Sequence, residues 1–428
     1  MRGYVRLAER MGADEAEVCR LSGYSLSISK EGSTGETKEF SASEGYSVRV
    51  LRGRKLGFAY FAKGGDAKRA VETALKLSKF SNKSMASFPE KTGYGKLETF
   101  DKKIGTLPED EAVGMLEEMI SSAKRPAKVA KAAFDCGASE IELENSSGLS
   151  ASRKSTHVSC FAHCTHKKSS GSSFRDSRFL DFAPCEVGRE ASERAVEAAS
   201  ARAMGTARMP AILEAEALSS LFYSLLLPSF HGERAYRRIS SLHDRLGRKI
   251  GAESLTLTDN PLFNGPGSSS FDGEGTRCAE KKLIEKGIAR NFLFDLKTAS
   301  LAGDSLNPSP GNCSRASYMA EPGIGSSNLV LGKGKTRDVL SECASGILVC
   351  SVFGEHTAND LTGEFSVSVE RGFEIRDGEK GKPVRGNVIS GNIFELIKNI
   401  AAIEAKQERI GSFISPRIFF EGLQVVGE

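Results

Sequence analysis

The chain has 428 residues, 39% hydrophobic and 27% charged, an ordinary globular composition with core enough for two or three domains. Its net charge of +4 is too small and too evenly spread for the basic stripe of a nucleic-acid binder. No run of about 18 apolar residues exists to span a membrane. The first ten residues, MRGYVRLAER, lack the apolar region of a signal peptide. Nine scattered cysteines without a C-x-x-C pair predict reduced thiols, and so a cytoplasmic protein, rather than a disulfide framework.

In chain order, residues 4–11 read as a short amphipathic helix. Alternating segments follow at 16–21, 24–29, 36–41, 46–51 and 56–61, separated by glycines and charges as in an antiparallel meander. Ala70, Val71, Ala74 and Leu75 give 66–80 helical spacing, and 82–96 is a polar connection. Pro108, Glu109, Asp110 and Glu111 open a second helix, with proline in its first turn and acids at the positive end of its dipole. Strand-like runs at 128–134, 140–144, 149–155 and 157–164 lead to a helix over 187–203. The two blocks, 1–81 and 106–203, share one outline: helix, antiparallel strands, helix. That is the expected mark of a structural duplication.

A boundary is expected at 204–210, dividing an N-terminal α+β region (1–203) from a β-rich C-terminal domain (211–428). In the latter, 212–214 reads as a strand, 216–227 as a helix stopped by Pro228, and 242–250 as a second helix. From 255 onward the pattern is β, until a helix over 393–408 with Asn392 as its N-cap. Strands at 412–414 and 417–426 end the chain. The expected fold class is α+β.

The stretch that stands out is Ser270-Phe-Asp-Gly-Glu-Gly-Thr-Arg277. Gly273 and Gly275 bracket Glu274 and follow Asp272, a pattern that would cost about 2 kcal/mol in a helix interior, so it is a tight polar loop. Residues 283–294 follow as a hairpin around Glu285-Lys286-Gly287, with glycine in the turn. Such carboxylates are placed to accept backbone N–H groups near a cavity or a subunit contact. Asp272, Gly273, Glu274, Gly275 and Arg277 are therefore the candidate site residues. An acidic surface turn is the plainer alternative.

Other patterns fail when counted. On a strand, Cys160, Cys164 and His166 share one face and His163 takes the other, with the two sulfurs' residues roughly 13 Å apart, too far for one zinc ion. Gly332-Lys-Gly-Lys-Thr336 has Leu329 where a P-loop needs glycine. No G-x-S-x-G, H-E-x-x-H or H-E-x-x-x-H occurs. His231, His243 and His356 are isolated.

The 270–277 segment, together with Leu283-Ile-Glu-Lys-Gly-Ile288, is similar to the PmbA (TldE) side of the TldD/PmbA family. So are Leu361-Thr-Gly-Glu-Phe-Ser366, Gly372-Phe-Glu-Ile-Arg-Asp-Gly378, Ile389-Ser-Gly-Asn-Ile393 and, near the start, Gly45-Tyr-Ser-Val-Arg-Val50. The order and spacing hold over nearly the whole chain. The resemblance implies an α+β fold and a cytosolic peptidase that degrades unfolded peptides. Its catalytic zinc is held in a TldD partner by H-E-x-x-x-H and a C-terminal cysteine. Aligned on that motif, His231 takes the first histidine's place, Gly232 the general base's and Tyr236 the second histidine's, and 402–416 has no cysteine. The resemblance therefore implies a subunit without catalytic or metal-binding residues and with no cofactor of its own, the zinc being the partner's. The partner is a TldD-like subunit in a heterodimer, or a second copy in a homodimer, with unfolded peptide as ligand. The family's older label, modulator of DNA gyrase, implies no DNA contact. Two other readings stay open: a homodimeric peptide-binding module, and a hydrolase using Asp272 and Glu274 with a transient cation.

Overall fold

Alternating burial builds one antiparallel sheet from both N-terminal blocks. The computed structural model describes residues 1–32, 35–82, 84–306 and 308–427. The first block gives α1 (Arg2–Arg10), β1 (Glu15–Glu31), β2 (Glu36–Arg52), β3 (Lys55–Ala62) and α2 (Ala67–Phe80). The second gives α3 (Lys102–Gly105), α4 (Glu109–Ser121), β4 (Lys128–Asn145), β5 (Ser150–His166), β6 (Ser169–Ser177) and α5 (Pro184–Ala198). The strand order is β3-β2-β1-β4-β5-β6. The two meanders thus join through their first strands, β1 and β4.

The shorter strands expected from sequence merge in pairs into β1, β2, β4 and β5. The glycines that suggested breaks serve close approach instead: a Cβ at Gly45 would fall 2.4 Å from the Tyr318 ring, and one at Gly137 2.2 Å from Tyr24 O. The even-numbered residues of β1 face the helices. Val18 packs with Val48, Val5, Val71 and Ala74, and Leu26 and Ile28 pack with Leu116, Met119, Val187 and Ala191. The odd-numbered residues face the other way, toward the C-terminal half.

That half contributes β7 (Ala207–Leu213), β8 (Leu257–Asp259), β9 (Lys281–Glu285), β10 (Ile288–Ala289), β11 (Cys313–Ser314), β12 (Gly323–Ile324) and β13 (Leu329–Leu331). It continues with β14 (Ser345–Phe353), β15 (Glu364–Arg376), β16 (Glu379–Val384), β17 (Val388–Asn392), β18 (Ile400–Ile410) and β19 (Phe413–Val426). Among the described residues its main sheet runs β10-β9-β8-β13-β19-β17-β15-β14-β7. Because β7 pairs with both β14 and β19, the last five strands close on themselves. Leu213, Val349, Val367, Ile389, Ile418 and Val425 belong to the core there. Ahead of the closing strands, α6 (Ala215–Leu221) runs through a π-turn (Phe222–Leu226) and a 3-10 turn (Leu227–Phe230) into α7 (Gly232–Tyr236); α8 (Leu296–Ala302) and α9 (Ile393–Leu396) are short. The connection at 204–210 is tethered where the buried Asn387 amide brackets the Met204 backbone.

One expected helix does not form and another is cut short. Residues 242–250 are turns pinned to the β9–β10 hairpin, with Gly247 N donating to Ala289 O at 2.8 Å and Ile250 N to Gly287 O at 2.7 Å. The helix expected over 393–408 ends at Leu396, and β18 pairs with β19 instead. In both places non-local backbone pairing overrides local helical spacing. The helix start was legible: Asn392 Oδ1 accepts from Phe394 N at 2.9 Å. So was the hairpin turn, where Lys286 and Gly287 both take positive φ as such a two-residue turn demands. Its second strand is only Ile288–Ala289, because Phe292 and Phe294 continue into the core.

Candidate functional site

The candidate loop lies buried between the N-terminal sheet and the C-terminal half. Strand register prepares its partners. Glu17 on β1 stands opposite Arg49 on β2, and Cys19 opposite Ser47, all on the sheet face that meets the C-terminal half. Arg49 grips Glu17 with two bonds, Nε to Oε1 at 2.9 Å and Nη2 to Oε2 at 2.7 Å, the fork geometry that makes such pairs strong. Its remaining nitrogen, Nη1, donates to Glu274 Oε1 at 2.5 Å. The other Glu274 oxygen accepts from Leu296 N, at the start of α8, at 2.8 Å. Arg315 completes the cluster. It donates to Glu17, to Gly273 O and, at 2.9 Å, to Ser47 Oγ.

Glu17, Arg49 and Glu274 are each 1% exposed, so the network lives in a poorly screened interior. Burial raises the Glu17 pKa, but Arg49 and Arg315 outweigh it and hold the carboxyl below its ordinary value. Burial likewise opposes the charge on Arg49, and Glu17 and Glu274 overcome it and push its pKa well up. Two carboxylates and two guanidiniums thus neutralise one another across the junction.

Asp272 is bonded to backbone rather than to cations. Its Oδ1 accepts from Glu274 N and Thr276 N, each at 2.9 Å, and its Oδ2 from Cys313 N at 3.0 Å. Burial, then the nearby Glu274, push its pKa up to about 7 against the pull of those three donors. Gly273 N donates to Cys313 O at 2.8 Å. Gly275 takes φ +79°, and a Cβ there would meet Leu149 at 2.9 Å. Tyr94 donates its hydroxyl to Gly275 O at 2.5 Å. Arg277 stands apart, exposed to solvent.

Every Asp272 and Glu274 oxygen therefore already accepts from a protein donor. Neither is a free base or an uncommitted metal ligand; their chemistry here is to fix one half of the molecule on the other. Asp272 and Gly273 also line a cavity of about 260 Å³. The loop is legible in the sequence; its partners Glu17, Arg49 and Arg315 are not singled out there. Alternation along β1 and β2 was the available signal for the first two; nothing local marks Arg315.

The Cys160–His166 cluster does not converge on a point. Cys160 and Cys164 are buried under the helices, and burial raises their thiols to about 12 and about 11. His163 Nδ1 lies 2.8 Å from Ser172 Oγ. All nine cysteines are free thiols.

An α+β chain with a duplicated N-terminal sheet docked on a partly closed C-terminal sheet defines a recognisable class. The descriptions that match are PmbA/TldA metallopeptidase domain 1 over residues 16–78, the central domain over 102–199 and the C-terminal domain over 206–427. The chain belongs to the PmbA/TldD metallopeptidase family. It is 27% identical over 423 residues to an uncharacterized protein of Methanocaldococcus jannaschii, covering 98% of each chain. It is 27% identical over 393 residues to a Methanothermobacter thermautotrophicus protein named metalloprotease, covering 88% of this chain and 84% of that one. The crystal structure of TldE from Thermococcus kodakarensis superposes with a TM-score of 0.89 at 25% identity, over 100% of both chains.

Proposed function

We propose that this chain is a non-catalytic, TldE-like subunit of a TldD-type zinc metallopeptidase, working in the cytoplasm with its partner on unfolded peptides. The observation that carries this reading is the packing at Gly232. In the aligned motif this position belongs to the general base. Here a Cβ would fall 2.1 Å from a Phe294 ring carbon, and Gly232 N is tied to Leu293 O at 2.8 Å. A glutamate cannot enter without displacing a buried phenylalanine. Tyr236, in the second histidine's place, is exposed at the end of α7. Burial, then Arg234, lower the His231 pKa. Among the described residues no three His, Cys, Asp or Glu side chains gather as a metal site. The residues present do not fit the family's zinc, since a structural or catalytic site needs three or more converging ligands. No hydrolytic step is assigned to this chain. The full-length likeness to a TldE structure supports the subunit reading.

The test is purification of the tagged chain from its own cells. A co-eluting chain carrying H-E-x-x-x-H, with hydrolysis of an unstructured peptide by the pair, is expected. Recovery of self-associated chain alone, binding peptide without a zinc-bearing partner, would replace this reading with the homodimeric peptide-binding module.

A further inference from the structure

We propose that the cavity beside the Asp272 loop receives the carboxylate at the end of an oligopeptide, with Arg153 as its anion anchor; this rests on the peptide-handling reading above. Strand register builds the floor. Arg153 on β5 stands opposite Ile141, and Ser155 opposite Ser139 on β4; Leu21 and Gly23 of β1 continue those two rows. The loops around Ser269, Cys313 and Ser326 form the other walls.

The charges in this wall are unevenly spent. Arg315 is committed to Glu17, Ser47 and Gly273. Glu140 reaches Arg20 at 3.4 Å and Lys154 at 3.8 Å. Asp272 accepts from three backbone N–H groups. Arg153, in contrast, forms no hydrogen bond or salt bridge to a carboxylate among the described residues, although Asp272 is close enough for its charge to act on the guanidinium. Its Nη1 donates to Ser269 and, at 3.1 Å, to Phe271 O, and its Nε is buried without an acceptor. A second guanidinium stands close by. Arg178 donates to Pro266 O at 2.5 Å and Ser268 O at 3.2 Å, also leaves Nε buried and unpartnered, and has its pKa lowered by burial and then by Arg153. Elsewhere this protein neutralises its buried arginines with carboxylates. Here neither guanidinium is bonded to a carboxylate: the acids of the cavity wall, Asp272 and Glu140, are held by other donors, and a buried guanidinium without an ion pair is costly unless a ligand supplies the counter-ion.

Size and access narrow the ligand. At about 260 Å³ the cavity is just below the roughly 300 Å³ at which ligand pockets begin, so it takes a chain end rather than an extended segment. A groove of about 410 Å³ shares Leu21, Ser139 and Arg315 with it and runs past Gly23, Ser41 and Ser43 toward Tyr318. It offers a path for the preceding residues. A carboxylate is the planar, two-oxygen anion that a guanidinium fork matches.

Calorimetric titration of the full-length chain with an unstructured tetrapeptide tests this. The free acid should bind, and the C-terminal amide should bind at least about tenfold more weakly, the loss of one charge-assisted contact. Acetate should compete for the site. Arg153→Gln should abolish the distinction between acid and amide. Should that variant fail to fold, Ser326→Glu, which adds a competing carboxylate to the cavity wall, should weaken the acid selectively. Equal affinity for acid and amide, absence of binding, or displacement by inorganic phosphate far better than by acetate would each overturn the proposal, leaving Arg153 a clamp for Ser269 and Phe271. If no zinc-bearing partner exists but acid and amide are still distinguished, the subunit reading falls and the pocket stands. If the complex forms and acid and amide bind alike, the pocket alone falls.

Discussion

Arg49 is the residue on which the junction turns, because it bonds Glu17 within its own sheet and Glu274 across the interface. Removing one partner of a buried pair strands the other charge, at a cost of about 3–5 kcal/mol. Glu274→Ala should therefore destabilise by that order in chemical denaturation, and a loss under about 0.5 kcal/mol, the usual surface effect, would show the pair to be solvated. Titration separates Asp272 from Glu17. The lowered Glu17 pKa means that its contribution is complete at neutral pH and is lost as pH falls through its folded-state value. Asp272 works in the opposite sense. Between its ordinary 3.8 and about 7 the folded state holds the extra proton, so stability falls as pH rises through that window. Asp272→Asn should flatten that slope and, by facing its amide nitrogen toward the Cys313 N–H, cost about 1–3 kcal/mol. An unchanged slope in stability against pH between those limits would refute the assignment. The acids were legible because Gly273, directly after Asp272, and Gly275 bracket Glu274 and left them no helical reading. Their partners were not, since Arg49 precedes Glu274 by 225 residues and no local pattern links the two.

At the scale of elements, local rules succeeded where the local chain decides the outcome. Asp66 caps α2, the acids after Pro108 open α4, and Asn392 caps α9. They failed where pairing partners lie far away. Residues 400–410 have helical spacing, yet β19 recruits them as a strand. The glycine-rich segment before β14 belongs to the same assembly: Gly334 N donates to Glu404 O at 2.9 Å, and Ala405 N to Thr336 O at 2.8 Å. What looked like part of a phosphate loop is a place of close backbone contact, where a Cβ at Gly334 would lie 1.8 Å from Ile403 O. Gly334→Ala should thus cost about 1–3 kcal/mol by overpacking. A denaturation midpoint equal to wild type would mean that the 332–336 segment is not held against β18 as described.

At the scale of the molecule, the family's hydrolytic chemistry and this chain's packing diverge at one place. The fold is that of the PmbA/TldD family throughout, while Gly232 is sealed by Phe294 and Tyr236 stands where a second histidine would be needed. The two halves are joined by a neutralised ion network rather than by an open acidic site. The chain therefore has the fold of the PmbA/TldD metallopeptidase family, and in the proposed function the metal chemistry is left to a partner. The most direct measurement is the zinc content of the purified chain, taken together with its hydrolysis of an unstructured peptide with and without chelator. Zinc far below one ion per chain and no chelator-sensitive cleavage are expected. About one tightly held zinc per chain, with cleavage that the chelator abolishes, would contradict the proposed function.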